Sequence, residues 1–279
     1  MYVNSKKVAV LLSTFNGARF LEEQLDSLLH QTSRDFHIYI RDDGSADGTV
    51  EIIGRYAAAN CEQITFIEDG ESRRGAAGSF FHLLESVDSQ YYMFCDQDDV
   101  WLPQKIEVSL SSIAAAELAC CEDGRQCEKP VVAFTDLKVV DAQLNILHES
   151  FNRVNHLERF EQDSDILFVH NVVTGCAMIF NGKAKEISSP VSPYAHMHDE
   201  WIALCTYTQG GTIIPIKDAL ICYRQHGGNT VGAHQYSFIE KIKSAVWQRQ
   251  LLQKMRLVRS AFGISLLKFL KLKNRYRRA

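Results

Sequence analysis

The first hundred residues alternate short β-rich runs with amphipathic helical stretches, and no other feature restricts the possible folds as tightly. "VAVLLST" (8–14), "FHIYIRDD" (36–43), "ITFIED" (64–69) and "YYMFCDQDD" (91–99) read as strands. Between them, Leu21, Leu25 and Leu28 mark one helical face and Ile53, Tyr56 and Ala57 another, while "SFFHLLESV" and "PQKIEVSLSSIAAAE" supply two more helices. Strands separated by helices predict an α/β fold: a largely parallel sheet covered on both faces. Right-handed crossovers then bring the strand C-termini to one edge, where open α/β sheets bind ligands. That edge receives "STFNG", "RDDGSADGT" and "CDQDDVW".

The second half is less regular. "CCEDGRQCEKP" reads as a loop, "VVAFTDLKVVD" (131–141) and "NVVTGCAMIF" (171–180) as strands, and "HDEWIALCTYTQ" as a short helix. "GTIIPI" and "ALICYRQHGGN" complete a sheet expected to be mixed. The composition, 46% hydrophobic and 23% charged over 279 residues, suits one catalytic domain, placed at 1–235, with an appendage at 236–279. The net charge of -4 hides an asymmetry: residues 241–279 hold twelve Lys or Arg and no Asp or Glu, so the preceding body is strongly acidic. No stretch approaches the roughly 18 to 20 apolar residues needed to cross a bilayer, and the N-terminus shows no secretory signal. The expected location is cytoplasmic, peripheral on the inner face of the cell membrane. Of the eight cysteines only Cys120, Cys121 and Cys127 cluster, at a spacing that fits no familiar zinc site, so reduced structural thiols are expected.

Several groups can do chemistry at that edge. Thr14, Asn16 and Gly17 end the first strand, and Asp42 and Asp43 end the second before a turn made by Gly44 and Gly48; they could hold a nucleobase or ribose, or simply close their own turns. Asp96 and Asp98 alternate as on a strand and share a side, with Asp99 on the turn and Trp101 beyond. Carboxylates in this pattern suit a hard divalent cation that also takes substrate phosphate, or else cap the helix entered at Pro103. In "HMHDEW", a carboxylate at a helix start can be held ionised as a general base, while His198 and its neighbours could instead form a metal cluster or a polar helix start. Arg224 and His226 alternate before a glycine-rich turn and could reach a diphosphate or metal. Neither a G-x-S-x-G elbow nor a Walker A loop occurs.

Taken in order, "STFNG", "RDDGSADGT", "CDQDDVW", "NVVTGCAMIF", "HDEW" and "YRQHGGN" resemble the inverting glycosyltransferases of family two, with their GT-A nucleotide-sugar fold, over roughly Val8 to Val231. Within that family "CDQDDVWLPQKI", "TDLKVVD" and "YRQHGGNTVGA" are most similar to bacterial rhamnosyltransferases of surface-polysaccharide synthesis. The resemblance implies a nucleotide-sugar donor, best dTDP-L-rhamnose, with UDP- or GDP-hexoses as alternatives, and a saccharide or lipid-linked saccharide acceptor. It implies donor binding by Thr14, Asn16, Asp42, Asp43, Asp96 and Arg224, a Mg²⁺ or Mn²⁺ held by Asp98 and His226, and Asp199 as base. Asp99, Trp101, Gly175, His198 and Glu200 would lie on the acceptor side or have no assigned role. Ser79 stands where relatives often carry Asn, and Glu200 where an aromatic residue is expected.

From Ser237 onward the chain reads as helix, with Ile242, Val246, Leu251, Met255, Val258, Phe262, Leu266 and Phe269 interleaved with Lys and Arg. Such a segment can lie on an anionic membrane surface or pack on the domain or a partner. The acidic body argues against nucleic acid, and a homo-oligomer is compatible with the sequence. Two rival functions share these carboxylates: a metal-dependent nucleotide-sugar phosphohydrolase and a catalytically silent binding module.

Overall fold

The computed structural model describes residues 2–3, 6–120, 128–226 and 245–277. The glycine-rich turn after His226, the start of the tail from Ser237, and Cys121 and Cys127 lie outside the described residues. The short strands β1 (Tyr2–Val3) and β5 (Val87–Asp88) pair with each other. Among the described residues the main sheet has nine strands: β2 (Val8–Thr14), β3 (Phe36–Asp42), β4 (Ile64–Phe66), β6 (Tyr91–Cys95), β7 (Val100–Trp101), β8 (Val131–Val140), β9 (Ile146–His148), β10 (Met178–Asn181) and β11 (Thr212–Arg224). Their order is β4-β3-β2-β6-β10-β8-β11-β7, with β9 hanging from β8.

The first half follows the sequence pattern closely. β4, β3, β2 and β6 are mutually parallel, and Val8, Ala9, Val10, Leu11 and Leu12 are fully buried, as expected of a central strand with both faces covered. Helix α1 (Leu21–Leu29) buries Leu21, Leu25 and Leu28, and α2 (Thr49–Ala59) buries Ile53. Helices α3 (Gly75–Ser86) and α4 (Lys105–Cys120) complete the covering layers.

In the second half β10 is antiparallel to both β6 and β8, which makes the sheet mixed. The strand expected over 171–180 is only Met178–Asn181, because Gly175–Ala177 forms a 3₁₀ turn that carries the Gly175 N–H away from the sheet. Conversely, the two strands expected around Pro215 are one, β11, with irregular register on β8 between Ile216 and Cys222. Pro215 is tolerated because β7 pairs only at Ile221 and Cys222, leaving β11 an edge there. Between β8 and the tail come α5 (Phe151–Val154), α6 (Gly182–Ile187) and α7 (His198–Thr208).

The tail also departs from expectation. Among its described residues it forms two helices, α8 (Ala245–Phe262) and α9 (Leu266–Arg277), broken at Gly263, whose φ of 66° ends the first. They pack on the body: Leu257 and Val258 are fully buried, Phe269, Leu272 and Tyr276 nearly so, and Trp201 meets Phe262 at 5.6 Å between ring centres. Arg275 pairs with Asp163, and Lys268 with Asp165 at 3.6 Å, so the basic tail answers local acidity of the body. Leu266, Leu267 and Leu270 stay outside this contact and are exposed.

Candidate active site

The ends of β2 and β3 form the first wall. Asp42 accepts four hydrogen bonds: on Oδ1 from the hydroxyls of Thr14 (2.8 Å) and Ser45 (2.5 Å), and on Oδ2 from the N–H groups of Gly44 (2.9 Å) and Ser45 (2.7 Å). A carboxylate offers about four lone-pair sites. Asp42 therefore shapes the loop, the turn-closing use of this carboxylate that the sequence also allowed. Asn16, at φ 50°, accepts from the Ala46 N–H at 2.8 Å and ties this loop to the preceding one. Asp43 accepts from Arg41 Nη1 (2.9 Å) and from the N–H groups of Arg74 (2.9 Å) and Gly75 (2.8 Å). Burial alone would raise its pKa, but the Arg41 guanidinium and the two N–H groups outweigh burial and hold the carboxyl below its usual range. About one of its acceptor sites is left for a ligand.

Arg41 gave no signal in the sequence. Fully buried, it also donates to Asp69 (2.7 Å), Ser79 (2.5 Å) and the Glu71 carbonyl (2.9 Å). Ser79 thus serves this network. Gln97 was equally unforeseen: its amide accepts from the Phe15 N–H (2.8 Å) and donates to the Phe15 carbonyl (3.0 Å), as a strand partner would. A Cβ on Gly17 would fall 2.1 Å from Gln97 Oε1, so a side chain there would displace this amide from Phe15.

The second wall follows β6. Asp96 and Asp98 are partly buried and Asp99 is wholly so. Asp98 Oδ2 lies 2.7 Å from His226 Nε2, so the sequence-predicted metal pair is brought together. The pair offers one hard oxygen and one imidazole nitrogen, a donor set that fits a Mn²⁺- or Mg²⁺-type site completed by phosphate oxygens. A second group, Asp96, Asp99 and Cys176, has ligand atoms within 4.8 Å of one another. There burial pushes the Cys176 thiol well up, which keeps it protonated and makes the set a poor one for a hard cation. Burial first, then the charges of Asp98 and Asp199, push Asp96 up to about 7; burial and the same kind of repulsion raise Asp99 well above its usual value.

Three expected roles fail on geometry. Asp99 is not on the acceptor side, because its Oδ1 accepts from the Arg224 N–H at 3.1 Å inside the core. Trp101 is 2% exposed and lies under the Lys105 ammonium, 4.6 Å from the ring centre. Arg224, expected on the donor diphosphate, is 1% exposed; its guanidinium donates to the Asp98 carbonyl (2.8 Å), the Ala142 carbonyl (2.7 Å) and Glu23, and stacks over Phe20. It braces the acidic loop against β11 and α1.

The third wall is the start of α7. Asp199 Oδ2 accepts from the Gly175 N–H at 2.9 Å and Oδ1 from the Glu200 N–H at 2.6 Å. Burial, assisted by the Glu200 charge, pushes Asp199 up to about 6 against the pull of these donors and of Asn171. A Cβ on Gly175 would fall 2.7 Å from His198 Nε2. His198 is no metal ligand here: it packs tilted against Phe80 (4.2 Å) and edge-on against Phe94 (4.4 Å), neither ring nitrogen has a partner among the described residues, and burial lowers its pKa to about 3. Glu200 is engaged by Lys254 of α8, at 2.6 Å.

A mixed sheet whose parallel strands end in acidic loops, with a helix-borne carboxylate facing them, is the GT-A fold of nucleotide-sugar glycosyltransferases, and solved structures agree. The fold matches S. aureus TarS 1-349 in complex with UDP-GlcNAc at TM-score 0.60 and 14% identity, covering 95% of this chain and 79% of that one. It matches the mannosyltransferase PcManGT from Pyrobaculum calidifontis, in complex with GDP-Man and Mn²⁺, at TM-score 0.58 and 18% identity, covering 98% and 76%. The chain belongs to glycosyl transferase family 2, whose sequence pattern matches residues 9–187. It is 25% identical over 241 residues to the dTDP-rhamnosyl transferase RfbG of Shigella flexneri, covering 83% of this chain and 77% of the relative. Over 101 residues it is 34% identical to the putative glycosyltransferase EpsE of Bacillus subtilis, which is 36% of either chain.

Proposed function

We propose that this glycosyltransferase works by inversion, moving L-rhamnose from dTDP-L-rhamnose to a hydroxyl of a saccharide or lipid-linked saccharide in cell-surface polysaccharide synthesis. The observation that carries the mechanism is Asp199: a carboxylate buried at a helix start, oriented by the Gly175 N–H, and raised to about 6, so that it is ionised near neutrality yet basic enough to accept a proton. Asp199 takes the acceptor's hydroxyl proton as the oxygen forms its bond to the anomeric carbon. The opposite bond to the diphosphate oxygen breaks, and the nucleoside diphosphate leaves with the electron pair. A Mn²⁺ or Mg²⁺ held by Asp98 and His226 would neutralise charge on that leaving group. Asp96 and the last acceptor site of Asp43 are suited to ribose or base, with Thr14 and Asn16 shaping the loop.

The rhamnose donor rests on the likeness to RfbG. Membrane docking rests on α9, where the exposed Leu266, Leu267 and Leu270 accompany Lys271 in a stretch, 241–279, without acidic residues. Residues 1–235 then form the catalytic domain and 236–279 the appended docking tail, at the inner face of the membrane. No helix among the described residues is long and apolar enough to cross a bilayer.

The test is Asp199→Asn. Acceptor-dependent release of nucleoside diphosphate should fall by ~100-fold or more while donor affinity stays within about twofold. Turnover at the wild-type rate would remove Asp199 as base, and donor hydrolysis without acceptor would favour a phosphohydrolase.

A further inference from the structure

Among the described residues the tail makes a polar contact with the catalytic helix through Lys254. Lys254, on α8, is 7% exposed, and its ammonium lies 2.6 Å from Glu200 Oε1. Both side chains of this pair are withdrawn from water, at 8% and 14% exposure. Glu200 is the residue after Asp199, and its own N–H donates to Asp199 Oδ1 at 2.6 Å. Lysine and glutamate are seldom buried without a partner. A buried glutamate beside a carboxylate that must ionise works against that ionisation, unless a cation accompanies it. A merely structural tail contact needs neither charge, since Leu257, Val258 and Phe262 already pack α8 on the body.

We propose that Lys254 is a positioning residue for Asp199, supplied by the tail: by neutralising Glu200 it lets the neighbouring carboxylate ionise near neutral pH. The proposal rests on Asp199 as base. The charged groups that face Asp199 come from three elements. Asp96 faces it from the end of β6, Glu200 succeeds it on α7, and Lys254 approaches from α8. His198 beside it is neutral, and burial and then the Lys254 charge keep His170 neutral too. Of these groups, only Lys254 is a cation.

Removing one partner at a time gives opposite signs. Lys254→Met leaves Glu200 uncompensated, so Asp199 should hold its proton to higher pH. Glu200→Gln leaves Lys254 uncompensated, so Asp199 should lose its proton at lower pH. The double variant restores neutrality and should titrate as wild type, as should Lys254→Arg, which keeps the charge.

The titration can be read without any substrate, by ¹³C NMR of the full chain labelled at aspartate Cγ, with the Asp199 signal assigned by its loss in Asp199→Asn. Shifts of about one pH unit in each direction are expected, which is roughly a tenfold change in the ionised fraction below the midpoint. Circular dichroism and thermal melting check that each variant is folded; should Lys254→Met fail to fold, Glu200→Gln and Lys254→Arg still decide, moving down and not at all. Equal midpoints in all folded variants, or shifts of one sign in both single variants, would overturn the proposal. Because this readout needs no turnover, its failure is distinguishable from failure of Asp199→Asn to slow transfer.

Discussion

Two carboxylate-rich edges of one sheet behave in opposite ways. At the ends of β2 and β3, Asp42 takes four hydroxyl and N–H donors and Asp43 three N–H and guanidinium donors, and Asp43 is held below its ordinary pKa. At the end of β6 and the start of α7, Asp96 and Asp199 crowd one another with few donors and are pushed up, to about 7 and about 6. The residue type is the same and the surroundings decide. The first edge is largely satisfied by its own protein, with about one acceptor site of Asp43 left over. The second stores repulsion that a bound cation and its diphosphate can relieve, as expected of a site built to bind them.

Substitutions at the two edges should therefore have opposite signs. Arg41→Met strands Asp43 and Asp69 inside the first edge and should cost about 3–5 kcal/mol in urea unfolding, the usual penalty for breaking a buried pair. A loss below about 1 kcal/mol would mean that this edge is no finished scaffold. Asp96→Asn removes a crowded charge and should stabilise the ligand-free protein by ~1–2 kcal/mol at pH 8 while weakening donor binding. Destabilisation would show that Asp96 is satisfied as it stands.

The pH dependence is smaller but separates the edges without mutation. Asp96 and Asp199 have folded pKa values above their unfolded ones, so stability from this edge is fully present below about 4 and is lost as pH rises through about 6 and about 7. Asp43 and Asp69 are lowered, so their contribution is present above about 4 and is lost as pH falls below it. Thermal melting should show the ligand-free protein gaining stability from pH 8 to about pH 5.5 and losing it under more acid conditions. In Asp96→Asn the gain should shrink.

How much of this could be read from sequence divides along the same line. Continuous apolar runs such as Val8–Leu12 and the Leu21, Leu25, Leu28 face are local signals, and the parallel half followed them. The acidic loops were also legible as an edge, and Asp98 and His226 meet as expected although 128 residues separate them. Direction was not legible. A strand pattern says which side a carboxylate takes, not whether donors from Thr14, Ser45 or Arg41 will already fill it. Arg224 looked like a phosphate ligand because its use as a brace depends on Glu23 and the Ala142 carbonyl, both remote in sequence. The tail's helical period was clear, but its break at Gly263 and its lysine beside Glu200 depend on tertiary contact.

The central claim is that the Asp96–Asp98–Asp199 edge is completed by a divalent cation and a nucleoside diphosphate. The most direct measurement is thermal melting at pH 8 with dTDP-L-rhamnose, UDP-GlcNAc and GDP-mannose, each with and without Mn²⁺, in the wild type and in Asp98→Ala. Stabilisation should need donor and Mn²⁺ together, be greatest with dTDP-L-rhamnose, reach roughly 2.7 kcal/mol at ~100 times the dissociation constant, and vanish in Asp98→Ala. Stabilisation by another donor would replace the sugar and keep the site; no response to any donor, or an unchanged response in Asp98→Ala, would contradict the account.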